Sequence, residues 1–292
     1  MFCRADGILV GGTVLLSATM CVGEGRIPGR SATSTVETAN FRIYGVGRLA
    51  GASRLGVEFE SLRERLCRTW LADRTLLAWS PKCDVVVHAT ADSYRRAVGQ
   101  AGFTTGGVSR IDVAGGRVSL RRIDVRADRA GWFAAVVPHE LTHVILADEF
   151  LADDLPNWAD EGMAVLADTP LKQSLHLRDI RAGHFGGATF RLAAFVAQSC
   201  YPAPEQIPVF YGQSASLVKF LVERRSSADF VRFLHRAEKL GYDAALAEMY
   251  DLRGVGELER AWLRWLSSPA DGHGVATLAP VERPASPQKE GA

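Results

Sequence analysis

Apolar residues recur along this chain with two different periods, and the change from one to the other divides it in two. From Asn40 the segment NFRIYGV alternates apolar and polar positions, the period of a half-buried strand. Residues 54–78 then carry Leu55, Phe59, Leu62, Leu66, Trp70 and Leu77 at helical spacing, which predicts one long helix. The apolar run in DVVVHAT, residues 84–90, predicts a buried strand, and a short helix follows over about 92–100. Between Val108 and Val125 two alternating runs flank Ala114-Gly115-Gly116, the pattern of a hairpin.

From Asp128 onward the helical period takes over. Asp128 is the expected cap of a helix reaching about Asp148 and kinked at Pro138, whose ring removes an amide hydrogen bond. A start at Pro138 itself is the alternative, with Val137 a poor cap. A second helix begins at Pro156 and Asn157. Residues 169–190 show little periodicity and read as an irregular stretch able to fold over a cleft, and helices recur at about 208–225, 227–239, 242–250 and 256–267. The fold class is therefore α+β, a small N-terminal mixed sheet with helices followed by a mainly helical part.

The helix after Asp128 carries the chemistry. In VVPHELTHVIL, residues 136–146, His139 and His143 stand four apart and so share a helix face. Glu140 lies about 100° round the axis from His139, where a carboxylate reaches the open side of a shared ion without ligating it. This is the His-Glu-x-x-His pattern of zinc hydrolases, although five residues alone also arise by chance on an apolar helix. A third ligand is offered by Glu161 in LPNWADEGMAVLAD, residues 155–168. Seventeen residues lie between His143 and Glu161, enough to end one helix, turn and bring the start of a second to the two histidines. Two histidines and a glutamate leave a fourth zinc position open for water.

The pairing of His139-Glu140-Leu141-Thr142-His143 with Trp158-Ala159-Asp160-Glu161-Gly162-Met163-Ala164 resembles the gluzincin metallopeptidases, particularly the bacterial peptidase MA-like proteins. VFYGQSASLVKFLVERR, residues 209–225, and ELERAWLRWL, residues 257–266, are similar to the later helices of those proteins. The likeness extends over roughly residues 40–268. It implies a zincin-like fold, one Zn2+ per chain on His139, His143 and Glu161, Glu140 as general base, and a peptide or protein substrate. In related gluzincins a tyrosine or histidine from a later element stabilises the oxyanion. Tyr211 is the first candidate here, with His176 and His184 as rivals that read first as exposed loop histidines. Two departures narrow the resemblance. The chain lacks the Gly-x-Met-Glu-Asn motif by which related aminopeptidases hold a substrate amine, so endopeptidase action is the expectation. Position 165 is valine where thermolysin-like enzymes place an aspartate that orients a ligand histidine; Asp160 is a candidate for that role or a charge on the helix dipole.

Composition narrows the alternatives. With 34 basic and 33 acidic residues the net charge is +1, which gives no global field for nucleic acid or an anionic membrane. The uncharged run from Gly7 to Gly23 makes residues 1–23 a signal peptide or membrane anchor and the protein an exported one, with membrane association only through this segment. Residues 24–39, polar and rich in Ser and Thr, read as a linker; residues 40–268 as the peptidase domain, α+β to about 127 and helical from 128; and residues 269–292, with four prolines, as a disordered tail. Cysteines 3, 21, 67, 83 and 200 form no zinc-binding spacing; Cys67 and Cys83 either pair after export or are buried thiols. His88, His235 and Trp158 read as structural. The function of another class that fits the same residues is a catalytically inactive, zinc-containing peptide-binding or envelope scaffold protein, for which an intact Glu140 has no chemical use.

Overall fold

A computed structural model describes residues 32–46, 52–72, 77–150 and 155–268. The leader, most of the expected linker, Cys3, Cys21 and the C-terminal tail lie outside the described residues. Among those that are described, no helix is long and apolar enough to cross a membrane.

Five strands form one mixed sheet: β1 (Ala32–Glu37), β2 (Phe41–Val46), β3 (Cys83–His88), β4 (Gly107–Ala114) and β5 (Arg117–Arg126), in the order β1-β2-β3-β5-β4. The β2/β3 and β3/β5 pairs are parallel, and the outer pairs β1/β2 and β4/β5 are antiparallel. β3 is buried along its whole length, as its unbroken apolar run requires of a central parallel strand. The β4–β5 hairpin turns at Gly115 and Gly116, both at positive φ (58° and 69°), the conformation that a two-residue turn matching the sheet twist demands. β1 corrects the linker reading. Residues 32–37 pair with β2, and the turn between them is fixed by Glu60, which accepts from Thr38 Oγ1 (2.6 Å), Asn40 N (2.8 Å) and Asn40 Nδ2 (2.7 Å). A polar edge strand carries little of the apolar alternation that reveals an inner one.

Helix α1 (Ala52–Leu71) covers the sheet with Leu55, Phe59, Leu62 and Leu66. It stops at Ala72 (φ 54°), short of the expected residue 78, and Leu77 is 74% exposed. Leaving the helix there brings Trp79 into the sheet core, where Arg63 lies 4.4 Å above its ring and its amide donates to Asn40 Oδ1. α2 (Ala91–Val98) is capped by Thr90 and continues as a 3-10 turn, Gly99–Phe103. Cys67 and Cys83 are buried free thiols.

The helical half comprises α3 (Trp132–Leu146), α4 (Asn157–Ala167), α5 (Pro170–Phe185), α6 (Leu192–Val196), α7 (Ile207–Arg224), α8 (Ser227–Leu240), α9 (Tyr242–Tyr250) and α10 (Val255–Ser267). α3 starts at Trp132 after Gly131 in left-handed conformation. Asp128 does not cap it, because both its oxygens take the Arg126 guanidinium (2.8 and 2.7 Å). The helix runs on through Pro138. α5 replaces the irregular stretch expected over 169–190. Thr169 and Pro170 form an ordinary helix start, but Leu171 and Leu175 face solvent while Ile180 and Gly183 are buried, so no single apolar stripe marks the helix.

Two cores result, and α3 touches both. Val137, Leu141, Val144 and Ile145 pack into the sheet cluster, whereas Leu146 belongs to the helical cluster with Trp158, Met163, Phe195, Leu217 and Trp262. α4 approaches α7 closely at Gly162, where a Cβ would stand 2.4 Å from Val218 Cγ2 and 2.6 Å from the Ser214 carbonyl. Backbone cannot give way as a side-chain tip can. Gly162→Ala is therefore expected to lower unfolding free energy by about 1–3 kcal/mol, read from urea denaturation midpoints; an unchanged midpoint would contradict this packing.

Candidate active site

The boundary between the two cores is where α3 presents His139 and His143. Their rings, four residues apart, lie 5.1 Å centre to centre, and both side chains are buried. α4 brings Glu161, fully buried, against them: its Oε2 is 3.5 Å from His139 Nε2 and 3.9 Å from His143 Nε2. Ligand-capable atoms of the three residues all lie within 4.8 Å of one another. Each of these atoms, the two Nε2 and Oε2, is buried without a hydrogen-bond partner. A single buried, unpaired polar atom is costly and uncommon. Three that face one another form a donor set for a cation, and two imidazoles with one carboxylate suit a zinc-like divalent ion. This group can hold a metal.

The outer atoms are occupied in a way that aims the inner ones. His139 Nδ1 lies 3.2 Å from Asp168 Oδ2, and His143 Nδ1 lies 2.8 Å from Asp160 Oδ1. Each carboxylate accepts an Nδ1–H, which leaves a lone pair on Nε2 pointing inward. Lys172 Nζ donates to the other oxygen of Asp168 at 2.8 Å. Burial pulls the His139 pKa down, but the Asp168 charge, its hydrogen bond and Glu161 outweigh burial and lift it to about 10 in the metal-free protein. His143 is raised in the same way, burial opposing and Asp160 prevailing. Burial would raise Glu161, yet the two histidines and Tyr201 hold its carboxyl below the ordinary value.

Glu140 follows His139 on α3, buried, with its side chain against the start of β4. A Cβ on Gly107 would stand 2.8 Å from Glu140 Cγ and 3.0 Å from Oε1, so glycine there admits the carboxylate. β4 is an outer strand of the sheet. Tyr211, in the first turn and a half of α7, points its hydroxyl at Glu161 Oε1 over 3.3 Å. His176 is a residue of helix α5, not of a loop; its ring lies 5.8 Å from that of Tyr211, and burial lowers its pKa. His184, in the last turn of α5, meets Ser267 Oγ of α10 at 3.3 Å, and no contact joins it to the two histidines or Glu161 among the described residues. His88 has both ring nitrogens occupied, by Ser93 Oγ and Asp124 Oδ1 (2.9 Å each), and His235 stacks on Phe150 and meets Glu149 Oε1 at 2.6 Å. Trp158 is a core residue that donates to the Tyr242 hydroxyl at 3.2 Å.

Two residues of the site went unread in the sequence. Asp168 stands seven after Glu161, two turns on along the same helix face, and that spacing was a usable signal. Val165, at the position where an aspartate was looked for, is instead fully buried in the helical core. Tyr201 donates to Glu161 Oε1 at 2.5 Å from a non-helical segment, and no local pattern marks it. A family model described as the peptidase MA superfamily matches residues 71–268. Comparison with curated proteins gives no match.

Histidines with raised pKa hold protons at neutral pH, and a metal ion must displace them. Zinc uptake at pH 7.5 is therefore expected to release protons, and zinc affinity to rise with pH, levelling off once pH passes the His139 value of about 10. Calorimetry in buffers of different ionisation enthalpy reads this directly; uptake without proton release would contradict the assignment of these imidazoles.

Proposed function

Because the chain belongs to the peptidase MA superfamily, we propose that it is a zinc-dependent peptidase of the gluzincin type, acting as an endopeptidase through His139, His143, Glu161, Glu140 and Tyr211. The observation that carries this reading is the convergence of the three unpaired, buried atoms, each imidazole held from behind by a carboxylate. The catalytic unit is the domain that runs from β1 to α10, residues 32–268.

His139 and His143, through Nε2, and Glu161, through Oε2, would hold the ion. A zinc ion in such a set would supply Lewis acidity and lower the pKa of a coordinated water to about 7. The protein's own groups do the rest. Glu140 Oε atoms take a proton from the attacking water and return it to the amide nitrogen as the C–N bond breaks. Tyr211 donates its hydroxyl hydrogen to the carbonyl oxygen as negative charge develops there. Burial and the Glu161 charge raise the Tyr211 pKa well above the ordinary phenol value, so the hydroxyl keeps its proton and remains a donor.

The strand beside Glu140 supports a peptide or unfolded protein as the substrate class. β4 is an outer strand, and an extended peptide adds to such an edge through main-chain hydrogen bonds, which bind backbone with little regard to side chains. Recognition along the middle of a chain supports internal cleavage over removal of terminal residues.

Glu140→Gln keeps shape and removes the base. We expect it to retain zinc and to lose peptide hydrolysis by about 10^2–10^4-fold, measured as cleavage of a quenched-fluorescent peptide library. Undiminished turnover in this variant would sink the catalytic assignment, and a wild-type protein that binds peptides without ever cleaving them would favour a binding scaffold.

A further inference from the structure

Glu161 has two carboxylate oxygens, and the structure treats them differently. Oε2 faces both histidines and has no hydrogen-bond partner. Oε1 receives two phenol hydroxyls, Tyr201 at 2.5 Å and Tyr211 at 3.3 Å. Tyr201 comes from the segment between α6 and α7, its ring 5.4 Å from that of Phe210. Tyr211 comes from α7, and its Phe210 neighbour packs edge-on against it. One carboxylate oxygen is thus tied from outside while the other is left for the ion.

We propose that Tyr201 is a positioning residue that restricts Glu161 to one-oxygen ligation, and that this leaves Tyr211, the more loosely bound of the two donors, able to turn from Glu161 to substrate. The inference rests on the gluzincin reading of the site and goes beyond it. A carboxylate with both oxygens available can close on an ion with both, which raises the coordination number and takes space from water or substrate. A short hydrogen bond to Oε1 opposes that closure, because two-oxygen binding has to give it up. The unequal distances separate the roles: the shorter contact fixes the ligand, the longer one is released at smaller loss.

Tyr201→Phe deletes one oxygen and keeps the ring on Phe210; Tyr211→Phe is its comparison. The full chain is loaded with Zn2+ and, separately, with Co2+, whose visible bands weaken as coordination number rises. The expected result is that Tyr201→Phe weakens zinc binding about 10–100-fold and lowers the cobalt band intensity, whereas Tyr211→Phe changes zinc affinity less than about threefold and leaves the band in place. An unchanged cobalt spectrum in Tyr201→Phe overturns the proposal, even if affinity falls, since that is what a merely structural role predicts. If Tyr201→Phe does not fold, a crystal structure of zinc-loaded wild type decides: Oε2 alone on the ion with Oε1 on Tyr201 supports the proposal, and both oxygens on the ion overturn it. Wild type that takes up neither metal defeats the gluzincin reading itself, an outcome distinct from a metal-loaded wild type whose Tyr201→Phe variant looks the same.

Discussion

Three lone pairs directed at one another inside a protein are unfavourable without a positive charge between them. Here they belong to His139, His143 and Glu161, and the surrounding structure keeps them in opposition. Rotating a histidine outward would break its bond to Asp160 or Asp168, and rotating Glu161 would break its bonds to two tyrosines. The site is held from behind at every member. Protons on the imidazoles partly relieve the conflict in the metal-free protein, which is why carboxylates around the histidines raise their pKa against the pull of burial. A divalent ion bound between them would relieve it.

The arrangement depends on α3 belonging to two cores at once. One side of the helix is fixed in the sheet cluster and its end in the helical cluster, so the histidines sit where the halves meet. α4 delivers Glu161 and Asp160 together, and its close approach to α7 at Gly162 places Tyr211 within reach of Glu161. Asp168, just past the end of α4, reaches His139 and is joined to α5 by Lys172. The side chains of the candidate site are therefore set by the packing of four helices. β4 adds the fifth element, with glycine at position 107 giving Glu140 room beside the sheet edge.

Much of this was legible in the chain because it is local. The four-residue spacing of His139 and His143 fixes their common face, and the helix start at Pro156-Asn157 places Glu161 a turn and a half in, so the ligand set followed from spacing and from the family resemblance together. Central strands and the late helices announced themselves by period. What escaped was either polar, as in the edge strand at 32–37, or apolar on two faces, as in α5, where Leu171 and Leu175 point to solvent and Ile180 to the core. Trp79 shows a third cause: α1 ends before residue 78 because a tertiary contact with Arg63 and Asn40 outweighs continuation of the helix. Tyr201 shows a fourth, since a residue 40 positions from its partner in a non-helical segment has no local signature at all.

The central claim is that His139, His143 and Glu161 hold one metal ion. Metal analysis of the purified full-length protein, after incubation with zinc and removal of the excess, tests it beside Glu161→Ala with folding verified for both. The account predicts about one zinc per wild-type chain and a sharp loss in the variant. Correctly folded wild-type protein that retains no zinc, or a variant that retains as much as wild type, would contradict it.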